Sequence, residues 1–246
     1  FIGSEIAAAL GMNNKKVTLL LREPGIGTRI FPRGLSRYVS TYYRDHGVEV
    51  LQEEVATGLE DKGEALLLST ESGQRLEVDG IVAGIGIEPN IGLAQAAGLS
   101  VENGIVTDEL LRTSHPDIFA AGDVAGFSNP ALGQVLRVEH EDNANTMGKT
   151  AGRNMAGANE PYYHLPFFYS DLFDLGYEAV GDLDPRLDVV EDWQEPYHKG
   201  VVYYLREHRV KGVLLWNVWD QVPEARRLIG EPGPFRPGDL RGRLPA

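Results

Sequence analysis

The chain moves between two hydrophobic rhythms, one of helical spacing and one of period two, and the switches between them divide it. Residues 1–10 carry apolar side chains at Ile2, Ile6, Ala9 and Leu10, which is helical spacing. Gly3, Ala7 and Ala8 are small enough to let such a helix lie close against a sheet. Lys16–Glu23 follows as a buried strand ending in an acid. Ser36–His46 predicts a second helix closed by Gly47, with Leu35, Val39, Tyr42 and Tyr43 as its apolar face, and Val48–Leu51 a short strand. From 53 to 84 the period shortens to two. Val55–Leu59, Ala65–Thr70, Arg75–Val78 and Asp79–Ala83 predict strands, with Gly63 and Gly73 as turns. Gly80–Gly86 reads as a glycine-rich strand end, which permits either close approach of a ligand or tight packing between strands.

A short helix at Gly92–Ala97 and a β segment at Gly104–Thr107 lead to the string Thr113–Asp123. Within it Ile118–Ala121 has strand length and no charge, as a buried central parallel strand should. Gly122 allows a sharp turn at the strand's carboxyl end, where open α/β sheets bind ligands. Asp123 presents a carboxylate there, suited to hydroxyl groups such as those of a ribityl chain. A helix is expected from Val138 through Met147, Ala151 and Met155 to Gly157. The acids and amides at its start complement a helix macrodipole, and they equally suit the ring edge of a flavin. Pro161–His164 marks a boundary. Beyond it the reading is β-rich, with strands at Pro166–Tyr169, Tyr177–Leu183, Val201–Leu205 and Val210–Trp216, a helix at Pro223–Ile229 and a Pro/Gly-rich tail. Tyr203 and Tyr204 are assigned to the core, whereas Trp216 and Trp219 fit core or interface alike.

Composition narrows the function. The 246 residues, 42% hydrophobic and 24% charged, are those of an ordinary globular protein. A net charge of −13 opposes binding to nucleic acid or to an anionic membrane. With no cysteine, the chain has no disulfide, thiolate metal site or redox dithiol of its own. No apolar stretch approaches the roughly 18 residues of a membrane span, and no secretory signal is visible. A cytoplasmic protein is expected. Because the chain opens at Phe1 inside a motif, it is also expected to be a fragment of a longer protein.

That motif concerns a dinucleotide. Gly3 stands at a helix start, and Glu23 follows it by 20 residues at the end of the next strand. This matches the last glycine and the acid of the dinucleotide pattern. The helix amino terminus would receive a pyrophosphate, and Glu23 a ribose 2′-hydroxyl. A carboxylate there repels a 2′-phosphate and favours NAD over NADP, a preference that Arg22 and Arg29 nearby temper.

Taken together, Phe1–Ala8, Gly84–Asn90, Ile118–Asp123, Val138–His140, Phe167–Leu172, Lys199–Arg206 and Val213–Asn217 resemble the apoptosis-inducing-factor branch of the FAD-dependent pyridine nucleotide–disulfide-type oxidoreductases. The resemblance implies an α/β, Rossmann-like two-dinucleotide-binding flavoprotein fold, present in part, with a carboxyl-terminal α+β domain. Residues 1–90 would form an NAD(P)-binding domain lacking its first strand. Residues 91–163 would be the carboxyl-terminal part of a split FAD-binding domain, and 164–246 the α+β domain. Carried onto this chain, Gly3, Glu23, Arg29 and Gly86 would contact NAD, with Ile2 and Glu5 also among the cofactor-binding positions. Asp123 would meet the ribityl–phosphate region of FAD. Glu139, His140 and Glu141 would line the isoalloxazine pocket, where Tyr169 takes a position that relatives fill with Trp.

The implied function is hydride transfer from NADH to FAD and onward to an acceptor: a ferredoxin-like protein, a quinone or oxygen. No side chain is expected to act as acid, base or nucleophile, no metal is expected, and a homodimer is possible. The adenosine-binding half of the FAD site is absent, so this chain alone is expected not to hold FAD. Residues 184–198 are brief where mitochondrial relatives carry a long insertion, which with the acidity points to a prokaryotic-type housekeeping reductase. The competing reading is a redox-linked binding or signalling flavoprotein with little turnover.

Overall fold

A computed structural model describes residues 1–245 and shows an α/β chain with a carboxyl-terminal sheet domain. Helix α1 (Ile2–Met12) lies against a parallel pair, β1 (Val17–Leu21) and β2 (Val48–Gln52), in register from Val17–Val48 to Leu21–Gln52. The side of α1 that faces inward is the small one: Ala7 and Ala8 are buried, whereas Ile2, Ile6 and Leu10 are exposed. The apolar spacing marks the helix, and the small residues mark the face that lies against the sheet, as their size predicts. Alanines allow the helix backbone to approach the sheet more closely than branched side chains would.

Helix α2 (Arg33–Asp45) begins three residues before the expected Ser36, directly after Pro32. Its buried face adds Ser36 and Ser40 to Leu35, Val39 and Tyr43. The two serines serve the preceding loop. Ser36 Oγ donates to Ile26 O (2.7 Å), and Ser40 Oγ accepts from Ile26 N–H (2.9 Å).

An antiparallel sheet follows, made of β3 (Ala56–Asp61), β4 (Leu66–Thr70) and β5 (Arg75–Val78). The fourth expected strand, Asp79–Ala83, is absent. The whole Gly80–Gly86 run lacks a hydrogen-bonded strand neighbour among the described residues and leaves Ile85 93% exposed. It passes instead over the first turn of α1, where a Cβ on Gly84 would come within 3.0 Å of the Gly3 nitrogen.

After α3 (Gly92–Ala96) come β6 (Val101–Glu102), β7 (Gly104–Val106), β8 (Ala125–Asn129) and β9 (Gln134–Leu136), forming one sheet. Its only parallel pairing, β7 with β8, falls outside the expected Ile118–Ala121 strand. That run makes one antiparallel bridge, Phe119 to Arg112, and two of its amides bond the preceding turn, Ala120 N–H on Leu111 O and Ile118 N–H on His115 O. Among the described residues no strand lies alongside it to complete a ladder. Helix α4 (Glu141–Met155) starts three residues later than expected, with His140 as its cap.

The carboxyl-terminal sheet holds β10 (Phe167–Leu172), β11 (Leu175–Gly181), β12 (Asp188–Glu195), β13 (Lys199–Arg206) and β14 (Arg209–Trp216), in the order β10-β11-β14-β13-β12 and antiparallel throughout. Strand β12 occupies a segment that the sequence reading leaves without an element. Helices α5 (Val222–Gly230) and α6 (Pro237–Leu240) complete the chain.

Both faces of this sheet are buried. Tyr177, Val202, Tyr204, Leu214 and Trp216 join the core beneath α1 and α2. The alternate residues Val180, Val201, Tyr203, Val213 and Leu215 pack with α5. Phe31, from the loop between β1 and α2, enters the first core edge-on to Tyr177 and Trp216, at 5.3 Å from each. Tyr204 Oη donates to Ile30 O in the same loop (2.5 Å). Among the described residues no helix is long and apolar enough to cross a membrane.

Candidate functional site

The amino terminus of α4 opens onto a pocket of about 310 Å³. His140 leaves the helix in an extended conformation, and its Nδ1 accepts the Asp142 N–H (3.3 Å), an N-cap made by an imidazole. Glu141, Asp142, Asn145 and Thr146 supply the helical wall, and Phe167 and Tyr169 of β10 the facing wall. The Tyr169 ring stands edge-on to His140 with centroids 5.3 Å apart. One wall is thus a helix terminus whose Asp142 and Ala144 N–H groups are taken by His140, and the other is aromatic. Such a site suits a flat ring that carries negative charge on one edge.

A polar knot fixes the two walls together. Asp142 Oδ2 accepts from His164 Nε2 (2.6 Å), from Arg226 Nη2 (3.0 Å) and from the Phe167 N–H (3.2 Å). Since the imidazole N–H points at the carboxylate, Arg226 and His164 are co-donors to one oxygen rather than partners of each other. Arg226 also donates to Leu165 O (2.7 Å), and its guanidinium lies over the Phe167 ring at 5.5 Å. Burial pushes the Asp142 carboxyl up. The His164 hydrogen bond and charge, the Phe167 amide and the Arg226 charge outweigh it and hold the group below its ordinary value. The first turn of α4 is therefore clamped to β10 and to α5.

Gly122 turns with φ +79° and donates its N–H to Met147 Sδ (3.2 Å), which seats the loop on α4. The Asp123 side chain is exposed, and its backbone carbonyl accepts from Arg137 Nη1 (3.0 Å). The same Nη1 pairs with Glu139 Oε1 (2.7 Å). Glu139 is thereby drawn to Arg137 and takes no part in lining the pocket, whereas His140, Glu141 and Tyr169 do.

The dinucleotide residues gather separately. Ile2 and Gly3 lie in the first turn of α1 under Gly84, with Gly86 (φ +98°) at the end of the same glycine run. Glu5, in that first turn, is half-buried, and its charge reaches the buried phenols of Tyr43 and Tyr177. Glu23 is ion-paired to Arg29 through Oε1 and Nη2 at 2.5 Å. The two groups approach each other at β10. The Phe1 ring packs edge-on against Phe168 (5.3 Å), beside the strand positions whose side chains face the pocket.

Sequence reasoning counted Asp142 and Asn145 among the acids and amides suited to a flavin edge, but missed the clamp partners His164 and Arg226, the wall residues Thr146 and Phe167, and Arg137. For the wall a signal existed: residues 141, 142, 145 and 146 share one face of a helix capped by His140.

Residues 1–148 match the family described as pyridine nucleotide-disulphide oxidoreductase. Residues 151–195 and 188–231 match the carboxyl-terminal family of the mitochondrion-associated apoptosis-inducing factor. The chain is 34% identical over 224 residues to monodehydroascorbate reductase 3 of Arabidopsis thaliana, covering 87% of this chain and 51% of that protein. It is 34% identical over 251 residues to mitochondrial apoptosis-inducing factor 1 of Dictyostelium discoideum, covering 93% and 47%. Among solved structures, putidaredoxin reductase in its covalent complex with putidaredoxin superposes with a TM-score of 0.87 at 30% identity, over 96% of this chain and 58% of that one. A ferredoxin reductase from Rhodopseudomonas palustris gives 0.88 at 27%, over 97% and 59%. The chain spans about half the length of the curated relatives it matches.

Proposed function

This chain belongs to the pyridine nucleotide-disulphide oxidoreductase family, and on that premise we propose that it forms part of an NADH-oxidising flavoprotein whose redox site is the pocket at the start of α4. One observation carries the reading. A helix terminus and two aromatic rings flank one pocket, and the first turn of α1 abuts the same strand, β10. Tyr169 with Phe167 offers ring faces to a flavin, while the close approach of Gly84 to Gly3 packs the glycine run onto the first turn of α1.

In this reading Ile2, Gly3, Glu5 and Gly86 hold the NAD pyrophosphate side. Glu23, paired with Arg29, accepts the ribose hydroxyl, and Asp123 accepts ribityl hydroxyls. His140 and Glu141 meet the flavin edge, with Tyr169 against the ring. Glu139 acts from the rim through Arg137. When bound, the two cofactors supply the hydride and electron transfer. The chain's own contribution is positioning and electrostatics. The α4 terminus places N–H dipoles where charge accumulates, the aromatic wall excludes water, and the ionised Asp142 clamp holds both walls at a fixed separation.

The acceptor falls among a ferredoxin-like protein, a quinone and oxygen. The likeness to putidaredoxin reductase favours the first, and the monodehydroascorbate reductases add an organic radical to the acceptors worth testing. The match of residues 151–231 to the apoptosis-inducing-factor family supports the second reading, a redox-linked binding protein. A cytoplasmic location and a homodimer belong to the same proposal, checked by fractionation and sedimentation. The decisive experiment purifies the full-length protein and titrates its visible spectrum with NADH and with NADPH. A flavin spectrum bleached by NADH is expected; a colourless folded protein overturns the proposal. Steady-state oxidation with several acceptors then separates the readings, since a slow, acceptor-independent rate favours the binding role.

A further inference from the structure

Helix α2 carries an unpaired cationic stripe. Arg33, Arg37 and Arg44 follow one another at intervals of four and seven residues, which at about 3.6 residues per turn places them on one side of the helix. With Ser36, Ser40 and Thr28 they line a cleft of about 260 Å³, whose walls also include Pro24 but neither Glu23 nor Arg29. None of the three arginines is ion-paired among the described residues. Arg44 makes a single contact, donating to Val50 O (3.2 Å).

This placement works against the helix. The first turn holds no acidic residue, so Arg33 and Arg37 face the positive end of the macrodipole. Like charges four residues apart also repel. Several exposed arginines elsewhere do pair with carboxylates, as in Arg29–Glu23 and Arg186–Asp184. Here, in a chain of net charge −13, three arginines line one cleft whose walls include no acidic side chain.

The floor of the cleft is built to stay open. Ser36 and Ser40 are buried, and their hydroxyl protons are already donated to Ile26 O and Ser36 O. Gly25 lies over them, and a Cβ there would fall 2.6 Å from Ser36 Oγ. Recognition is therefore left to the guanidiniums. Their planar forks match the oxygens of a phosphoryl group, and several positive charges suit a dianion better than a single carboxylate.

We propose that this cleft binds a phosphomonoester, separately from the Glu23–Arg29 pair. The ligand class is a free phosphorylated small molecule, because the 2′-phosphate of NADPH would fall on the ribose oxygen assigned to Glu23, whose carboxylate is outside the cleft.

The test titrates the full-length holoprotein with inorganic phosphate, followed by calorimetry at low salt. Saturable one-site binding is expected, weakened about tenfold by Arg37→Ala, the loss of one charge-assisted hydrogen bond. The Arg33→Lys/Arg37→Lys pair keeps the charge and the fold of the helix but removes the forks, and should weaken phosphate by a smaller factor. Phosphate should bind equally beside NADH and beside NADPH; competition with NADPH alone would assign the cleft to the nucleotide and overturn the proposal. Unsaturable binding, or an affinity that neither variant alters, overturns it. Neither result touches the flavin titration above, so the two readings fail independently.

Discussion

Two antiparallel sheets in this molecule are held by opposite physics. The five-stranded sheet is covered on both faces, by α1 and α2 on one side and α5 on the other, and its central strands β13 and β14 are buried almost end to end. Among the described residues no helix packs on the three-stranded sheet, and β3 is exposed at every residue. It is organised instead around a buried carboxylate: Glu54 accepts from the Ser72 N–H (3.1 Å), from the Ser72 hydroxyl and from Gln74 Nε2 (3.2 Å). Alternation alone identifies strands in both. What fixes their strength is the presence or absence of a second covering layer.

The contrast breaks most decisively in the core. Trp216→Ala removes a fully buried ring that stacks on Tyr177 and meets Phe31, and should cost about 3–5 kcal/mol in chemical denaturation. Leu59→Ala in β3, where the side chain is 55% exposed, should change stability by less than about 0.5 kcal/mol. Comparable losses would erase the distinction.

The clamp is intermediate. Asp142→Asn leaves Arg226 and His164 without a counter-charge and should cost about 2 kcal/mol, below the figure for a fully buried pair because all three groups keep some solvent contact. The Asp142 carboxyl titrates below its ordinary value, so its stabilisation is complete above the ordinary carboxylate range and vanishes as pH falls through the lowered value. Wild type and variant should therefore converge in acid; a pH-independent gap would contradict the clamp.

Tyr204→Phe loses the hydrogen bond to Ile30 O and should cost about 1 kcal/mol. Because that bond holds the loop bearing Arg29, the KM for NADH should rise more than kcat falls. A change confined to kcat would detach the loop from nucleotide binding. The smallest effect is local. Hydrogen bonds from Ser72 hold the Glu54 carboxyl below its ordinary value, so acid should open the three-stranded sheet first. Hydrogen exchange at low pH should show β3–β5 amides losing protection while β13 and β14 keep theirs.

Much of this was legible in the residues. The α/β class and the carboxyl-terminal sheet follow from the change of period, Gly122 does turn with positive φ, and His140 and Tyr169 do meet at one pocket. The failures have separate causes. Arg226 lies 84 residues from Asp142, and no local pattern joins them. Ile118–Ala121 has the composition of a central strand but no strand alongside it among the described residues. Strand β12 carries acids at Asp188, Glu191, Asp192 and Glu195, which hides an edge strand among loop-like residues.

Phe31 has a bearing on recombination between relatives. Its ring leaves the nucleotide-side loop to finish a cavity walled by Tyr177 and Trp216, and Gly27 has no room for a Cβ above it. A chimera that splices one homologue's first half to another's second half would divide that lock from its key. Such hybrids should be viable only when the loop and the two receiving aromatics are inherited together.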